Sequence, residues 1–324
     1  MSESRRFPFG CLFAALGVVG GTLILLLLLG FLFSGALLSS GSGPKIAHID
    51  LEGIIVSSPE AGFLGSSDSM VRRLEKSLKK AREDDSVKAV VLRINSPGGE
   101  VTAADTIHHY VKQTAAVKPV VVYMDSVAAS GGYYVACAGT EMMANRTTMT
   151  GSIGVIISTL SYHELFGKFG LQFLTFTSGK YKDTLSGGRP MRDDERQLVQ
   201  DLVNQTYERF LQVVMEGRPK VPEEKLRTAL ADGRILSGKD ALANGLIDKT
   251  GYFEDAVERA KELGNAPDAK VIRYSDEVSL FQALGLVESR FRNPPESLEL
   301  RLPGMLQSSL KPGMLYLLPP FFAP

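Results

Sequence analysis

The chain has 324 residues, 44% of them hydrophobic and 22% charged. This is ordinary globular usage, which excludes wholesale disorder and leaves room for two domains or for one α/β domain with appendages. Basic and acidic residues balance at 36 each, so nucleic acid is not an expected partner, and two cysteines, Cys11 and Cys137, are too few for a disulfide framework and read as free thiols.

The amino-terminal segment sets the expected compartment. No charged residue occurs from Phe7 to Pro44, and Thr22–Leu38 (TLILLLLLGFLFSGALL) is almost continuously apolar. A bilayer core needs about 20 apolar residues in a helix, and Cys11–Leu38 supplies more. A cleaved signal peptide has an apolar region of only about 7–15 residues, so residues 11–38 are read as an uncleaved transmembrane signal anchor. Arg5 and Arg6 place residues 1–10 on the cytoplasmic side. Residues 39–44, beginning SSGSG, form a flexible linker, and the chain from Lys45 onward is expected beyond the membrane.

From Lys45 the pattern alternates strands with helices. Strands are expected at Lys45–Val56, Val87–Ile94, Pro119–Met124, Glu141–Asn145, Ile153–Ser158, Leu171–Thr177 and Lys270–Tyr274. Helices are expected at Asp68–Arg82, where Val71, Leu74, Leu78 and Ala81 have helical spacing, and at Glu100–Ala116, Gly131–Gly139 and Arg192–Glu216. The last of these opens on an acidic triplet that suits the helix dipole. Pro222–Leu230, Gly238–Asn244 and Phe253–Leu263 complete the helices. The order predicts an α/β layered fold with mostly parallel strands, occupying residues 45–286. Residues 287–324 differ: seven prolines fall within Pro294–Pro324, with an apolar patch at Met314–Phe322 able to dock elsewhere.

Three junctions have the makings of a site. Asn95-Ser96-Pro97-Gly98-Gly99 follows a strand and precedes a helix, where bare glycine amides can hold an oxyanion; it is equally a tight turn with no ligand. Ser126-Val127-Ala128-Ala129-Ser130-Gly131-Gly132 follows another strand, so the Ser130 hydroxyl either points into a cleft or caps the next helix. It is not the G-x-S-x-G elbow. Ser178-Gly179-Lys180-Tyr181-Lys182-Asp183 follows a third expected strand. A lysine works as a general base only when desolvation lowers its pKa, and alone this segment reads as a surface loop.

Taken together, NSPGGEV (95–101), SVAASGGYYVA (126–136), TGSIGV (150–155) and SGKYKD (178–183), with ADGRILSGKDALANGLID (231–248), resemble the signal peptide peptidase A family of membrane-anchored serine peptidases. The resemblance spans Lys45 to Leu263. It implies a fold of the crotonase and Clp protease type, built from stacked ββα units behind an N-terminal transmembrane helix. It implies a Ser–Lys dyad with Ser130 as nucleophile and Lys182, which directly precedes an aspartate, as general base. Ser152 would orient the lysine amine, and Gly98 or Gly99 with Gly131 would form the oxyanion hole. It further implies ring oligomers in which neighbouring protomers complete each site, cleaved signal peptides as substrates, and residence in the bacterial cytoplasmic membrane. No metal or organic cofactor is expected.

Rivals stand beside this reading. A Ser–His–Asp triad would have to recruit His163. His108 and His109 are expected to be exposed or to line a groove. A crotonase-like acyl-CoA enzyme would share the oxyanion turn but would not meet acyl-CoA outside the cytoplasm, and a non-catalytic membrane scaffold would keep the fold without the chemistry.

Overall fold

The computed structural model describes residues 43–59 and 68–274, together with Leu25 and the short segments 61–62, 65–66 and 316–317. The expected Cys11–Leu38 anchor lies outside them except for Leu25, and the 287–324 tail except for Tyr316 and Leu317. Among the described residues no helix is long and apolar enough to cross a membrane.

In chain order the principal elements are β1 (Lys45–Glu52), α1 (Met70–Glu83), β2 (Val87–Ser96), α2 (Val101–Ala115), β3 (Val120–Ala129), α3 (Gly131–Ala136), β4 (Glu141–Ala144) and β5 (Met149–Gly151). Then follow α4 (His163–Lys168), α5 (Asp193–Gly217), β6 (Ile235–Ser237), α6 (Gly238–Ala243), β7 (Lys249–Thr250), α7 (Phe253–Leu263) and β8 (Lys270–Arg273). The sheet runs β7-β4-β3-β2-β1-β8, and β5 and β6 continue it from the far end of β3. All pairings are parallel except β5 with β6.

Burial on both faces explains the strand sequences, which read as continuous apolar runs. Ala47, Ile49, Leu51, Val90, Leu92, Ile94, Val120, Val122 and Met124 project to one side, into a core shared with α1, α2 and α3. Ile46, Ala89, Val91, Val121 and Tyr123 project to the other, against Ala256, Val257 and Ala260 of α7. Each buried Val, Leu, Ile or Met side chain among these contributes about 1.5–3 kcal/mol relative to exposure. On α1, Leu74, Leu78 and Ala81 are buried as expected, while Met70 is buried in place of Val71, which is only half-buried. The carboxyl end of α1 is held by Lys118, whose amine donates to the carbonyls of Ala81 (2.8 Å) and Asp84 (2.6 Å).

One irregularity positions the site. Against β2, the register of β3 passes from Ile94↔Met124 to Ser96↔Ala128, so β3 spends extra residues at Asp125–Val127. Such a bulge bends a strand. Up to Met124 the strand pairs with β4, and from Val127 to Ala129 with β5. The bend thereby delivers Ser130 to the carboxyl edge of the sheet.

Two expected strands are absent. Ile153–Ser158 forms no strand, the ladder ending instead at Gly151. Leu171–Thr177 is irregular, with Leu174 80% and Phe176 95% exposed. A strand is stabilised by a neighbour to pair with, and the alternating pattern of this segment finds none among the described residues. His108 also departs from expectation. It lies on the core face of α2 beside Ala104, Ile107 and Val111, packs edge-on against Tyr134, and burial pushes its pKa down to about 4. His109 is exposed.

Candidate active site

The first glycine turn closes around Ile55. The Ile55 amide donates to the Gly98 carbonyl (2.9 Å), and the Glu100 amide donates back to the Ile55 carbonyl (2.8 Å). A Cβ on Gly99 would lie 2.0 Å from the Ile55 oxygen, so only glycine fits. Gly98, at φ 103°, uses its amide on the Oγ of buried Ser96 (3.1 Å). Because Gly98 and Glu100 use their polar atoms on Ile55, the alternation of an extended chain turns the Gly99 amide to the opposite edge. There the backbone of Tyr316–Leu317 runs antiparallel to Gly99–Glu100. Glu100, itself buried, accepts from the amide (3.1 Å) and hydroxyl (2.5 Å) of Ser57, which ties the loop after β1 to this turn. Sequence inspection gave no signal for that tie, since Ser57 and Glu100 belong to different segments.

The second junction holds Ser130 between β3 and α3. Its backbone sits at φ 53°, ψ −116°, a conformation that non-glycine residues adopt only at a cost of order 1–3 kcal/mol. The cost is met by the frame: its amide donates to the Gly151 carbonyl (2.8 Å), and Tyr134 donates to the Ser130 carbonyl (2.8 Å). The side chain makes no cap to α3. Its Oγ is buried and has no hydrogen-bond partner among the described residues, although buried polar groups are nearly always paired. The capping role open to a serine at this position is therefore not the one it plays. Gly132 lets α3 pack tightly on the first turn, since a Cβ there would lie 2.8 Å from the Ser96 carbonyl.

Parallel pairing of Ala129 with Gly151 brings Ser152 alongside Ser130. Ser152 also has positive φ, 50°, is buried, and is fixed by its amide bond to the Arg234 carbonyl (2.8 Å). The structure thus gathers Gly98, Gly99, Ser130, Gly131 and Ser152 at one edge of the sheet.

It does not bring Lys182 to them within the chain. Lys182 is exposed in the turn from Gly179 to Ser186, and its amine has no recorded partner among the described residues. Lys180 differs: its amine lies 2.5 Å from Asp194 Oδ2, and that carboxylate raises its pKa. His163 opens α4, with Nδ1 3.0 Å from Ser161 Oγ. It makes no hydrogen bond to Ser130.

Beside the site is a depression of about 300 Å³ lined by Val101, Asp105, Tyr134, Arg209 and Phe210. Tyr134 donates to Asp105 (2.5 Å), which Arg209 also approaches (3.4 Å). Tyr133 is fully buried and donates to the Leu246 carbonyl (2.8 Å), which makes it a packing residue. Cys137 is a buried free thiol whose pKa is pushed up to about 12 by burial.

A strained serine with an unpaired buried hydroxyl, set beside glycine amides on a parallel α/β sheet, is the arrangement of a serine hydrolase. Comparison with known proteins narrows the class to a peptidase. Residues 112–266 match the model of peptidase family S49. The chain is 36% identical over 244 residues to a putative signal peptide peptidase SppA of Enterococcus faecium, covering 74% of this chain and 70% of that one. It is 37% identical over 227 residues to the putative protease slr0021 of Synechocystis, covering 70% and 77%. With protease 4 of Haemophilus influenzae it shares 34% over 250 residues, 74% of this chain but 39% of the longer relative. The chain belongs to peptidase family S49 and is a serine peptidase.

Proposed function

We propose that the protein is a membrane-anchored endopeptidase with a Ser–Lys dyad, in which Ser130 attacks the scissile carbonyl and Lys182 is the general base. The observation that carries this reading is the buried, partnerless Oγ of Ser130 in a strained backbone. Strain and unpaired polar atoms of this kind concentrate at functional sites. Lys182 enters from a neighbouring protomer of a ring, which accounts for its lack of a partner among the described residues and for the apolar exposure of Leu174 and Phe176 upstream of it. The resemblance of the glycine, serine and lysine motifs supports the same assignment, together with a crotonase-like fold. Lys180 is a poor base because Asp194 holds its proton.

The chemistry then balances without a cofactor. Lys182, neutral, takes the Ser130 proton as Oγ bonds to the carbonyl carbon. The resulting oxyanion is held by the amides of Gly99 and Gly131, the Gly98 amide being given to Ser96. Protonated Lys182 passes its proton to the leaving amine, breaking the C–N bond. Neutral again, it deprotonates the water that attacks the acyl-enzyme carbonyl and returns that proton to Ser130 Oγ as the ester C–O bond breaks, releasing the acid. Ser152 hydrogen-bonds the lysine amine and aims it. The anchor holds this cleft beside the bacterial cytoplasmic membrane on its outer face, so cleaved signal peptides are the substrates proposed.

In a peptide-hydrolysis assay on the full chain, His163→Ala retains activity within about threefold; loss of activity there would replace the dyad with a triad. The tail supplies a second expectation. Residues 314–324 include the strand that lies on the Gly99 edge, where a substrate strand would pair. A tethered occupant competes at high effective concentration, so deleting 314–324 lowers KM for short peptides by about tenfold with kcat unchanged. Unaltered KM would remove the tail from the cleft.

A further inference from the structure

The segment from Ser152 to Arg192 has only one short helix, α4, so the direction of Lys182 cannot come from regular secondary structure. A charged clasp on the first turn of α5 holds the residues that flank Lys182. Glu195 is completely buried and gathers donors from the segment before it. Arg189 reaches it through Nη1 (2.8 Å) and Nη2 (2.6 Å), Thr184 through its hydroxyl (3.2 Å), and Arg192 through its amide (3.0 Å) and Nη2 (2.6 Å). The other edge of the Arg189 guanidinium meets Asp183 in a bidentate pair, Nε to Oδ2 and Nη2 to Oδ1, both at 2.7 Å. The Arg189 bonds hold the Glu195 carboxyl down to about 2 and lower that of Asp183 as well.

The consequence lies in which residues are held. Asp183 and Thr184, immediately after Lys182, are both fastened to Glu195, one through Arg189 and one directly. Lys180 and Tyr181, immediately before it, are fastened to Asp194, at 2.5 Å and 3.0 Å. Within this run, Lys182 alone has no side-chain partner among the described residues. Leu185, at φ 69°, bends the chain beyond it. A planar guanidinium is the one side chain that can bind two carboxylates edge-on at fixed angle.

We propose that Arg189 is a positioning residue for the peptidase reaction: by bridging Asp183 to the buried Glu195 it fixes the turn that presents Lys182 to the nucleophile. This rests on Lys182 being the general base. A misplacement of about 1 Å costs about 100-fold in rate. In the full-length assembled protein, Arg189→Ala is therefore expected to lower kcat about 100-fold with KM within about threefold. Added methylguanidinium is expected to restore a measurable part of that kcat, and to do nothing for Lys182→Ala. Arg189→Lys is expected to stay near the alanine variant, because an ammonium cannot bridge both carboxylates.

A merely structural role gives a different pattern: a lower melting temperature, wild-type kcat per folded site, and no response to methylguanidinium. That pattern overturns the proposal, as does full activity of Arg189→Lys. Should Arg189→Ala fail to assemble, Asp183→Asn, which leaves the Arg189–Glu195 pair intact, decides: a kcat drop of about tenfold supports the proposal and a wild-type kcat overturns it. Lys182→Ala run alongside separates the two levels. If it keeps wild-type turnover the base assignment falls and the positioning role with it. If it is inactive while Arg189→Ala keeps kcat, only the positioning role falls.

Discussion

Ser130→Ala abolishes peptide hydrolysis, by a factor of about 10⁴ or more, and leaves the stability of the protein within about 0.5 kcal/mol of wild type. The two halves of this expectation come from the same observation. Ser130 Oγ has no hydrogen-bond partner among the described residues, so its removal strands no buried partner there. The strained φ of 53° is imposed by the amide bond to Gly151 and by the start of α3, and alanine bears it as serine does. A structural serine would show the reverse, a loss of stability with activity falling only in proportion to unfolded chain. Thermal denaturation beside a turnover assay reads both. Retained hydrolysis in Ser130→Ala would place the nucleophile elsewhere.

The two lysines of the Gly179–Ser186 turn supply the second large effect. Lys182→Ala is expected to lose about 10³-fold or more in kcat, whereas Lys180→Ala is expected to stay within about tenfold of wild type. Lys180 makes an exposed ion pair with Asp194, and pairs of that kind contribute about 0–1 kcal/mol. Its loss loosens one side of the turn without touching the reacting atoms. A reversal, with Lys180 essential and Lys182 dispensable, would overturn the choice of base.

The sheet was legible because its strands are buried on both faces. Val87–Ile94 and Pro119–Met124 are apolar runs that only a covered parallel sheet accommodates, and the amphipathic spacing of α1 identified its packing face. Short strands escaped: β5 and β6 have three residues each, too few for a period. The error at Leu171–Thr177 has another source. Its alternation is that of a strand, but pairing is a tertiary property, and no described strand pairs with this segment. His108 is buried because it shares a helical face with Ala104, Ile107 and Val111, and that spacing outweighs the polarity of its ring.

At the site, the strand–turn–helix junctions around Gly98 and Ser130 were visible as glycine-rich breaks, while Lys182 stood out from the residues around it only through resemblance. Choosing Gly99 over Gly98 required the hydrogen bond from Gly98 to Ser96, which no spacing reveals. The Asp183–Arg189–Glu195 clasp left a partial trace. The acidic triplet at 193–195 was read as complementing the helix dipole, but the burial of Glu195 and its arginine partners appear only when the turn is folded onto α5.

The central claim is that Ser130 of one protomer works with Lys182 of the next. Co-assembly of Ser130→Ala and Lys182→Ala chains, each inactive alone, tests it most directly. In an equal mixture each site draws its serine and its lysine from different chains, so about a quarter of wild-type activity returns. Absence of activity in assemblies shown by mass to contain both chains would contradict a site shared between protomers.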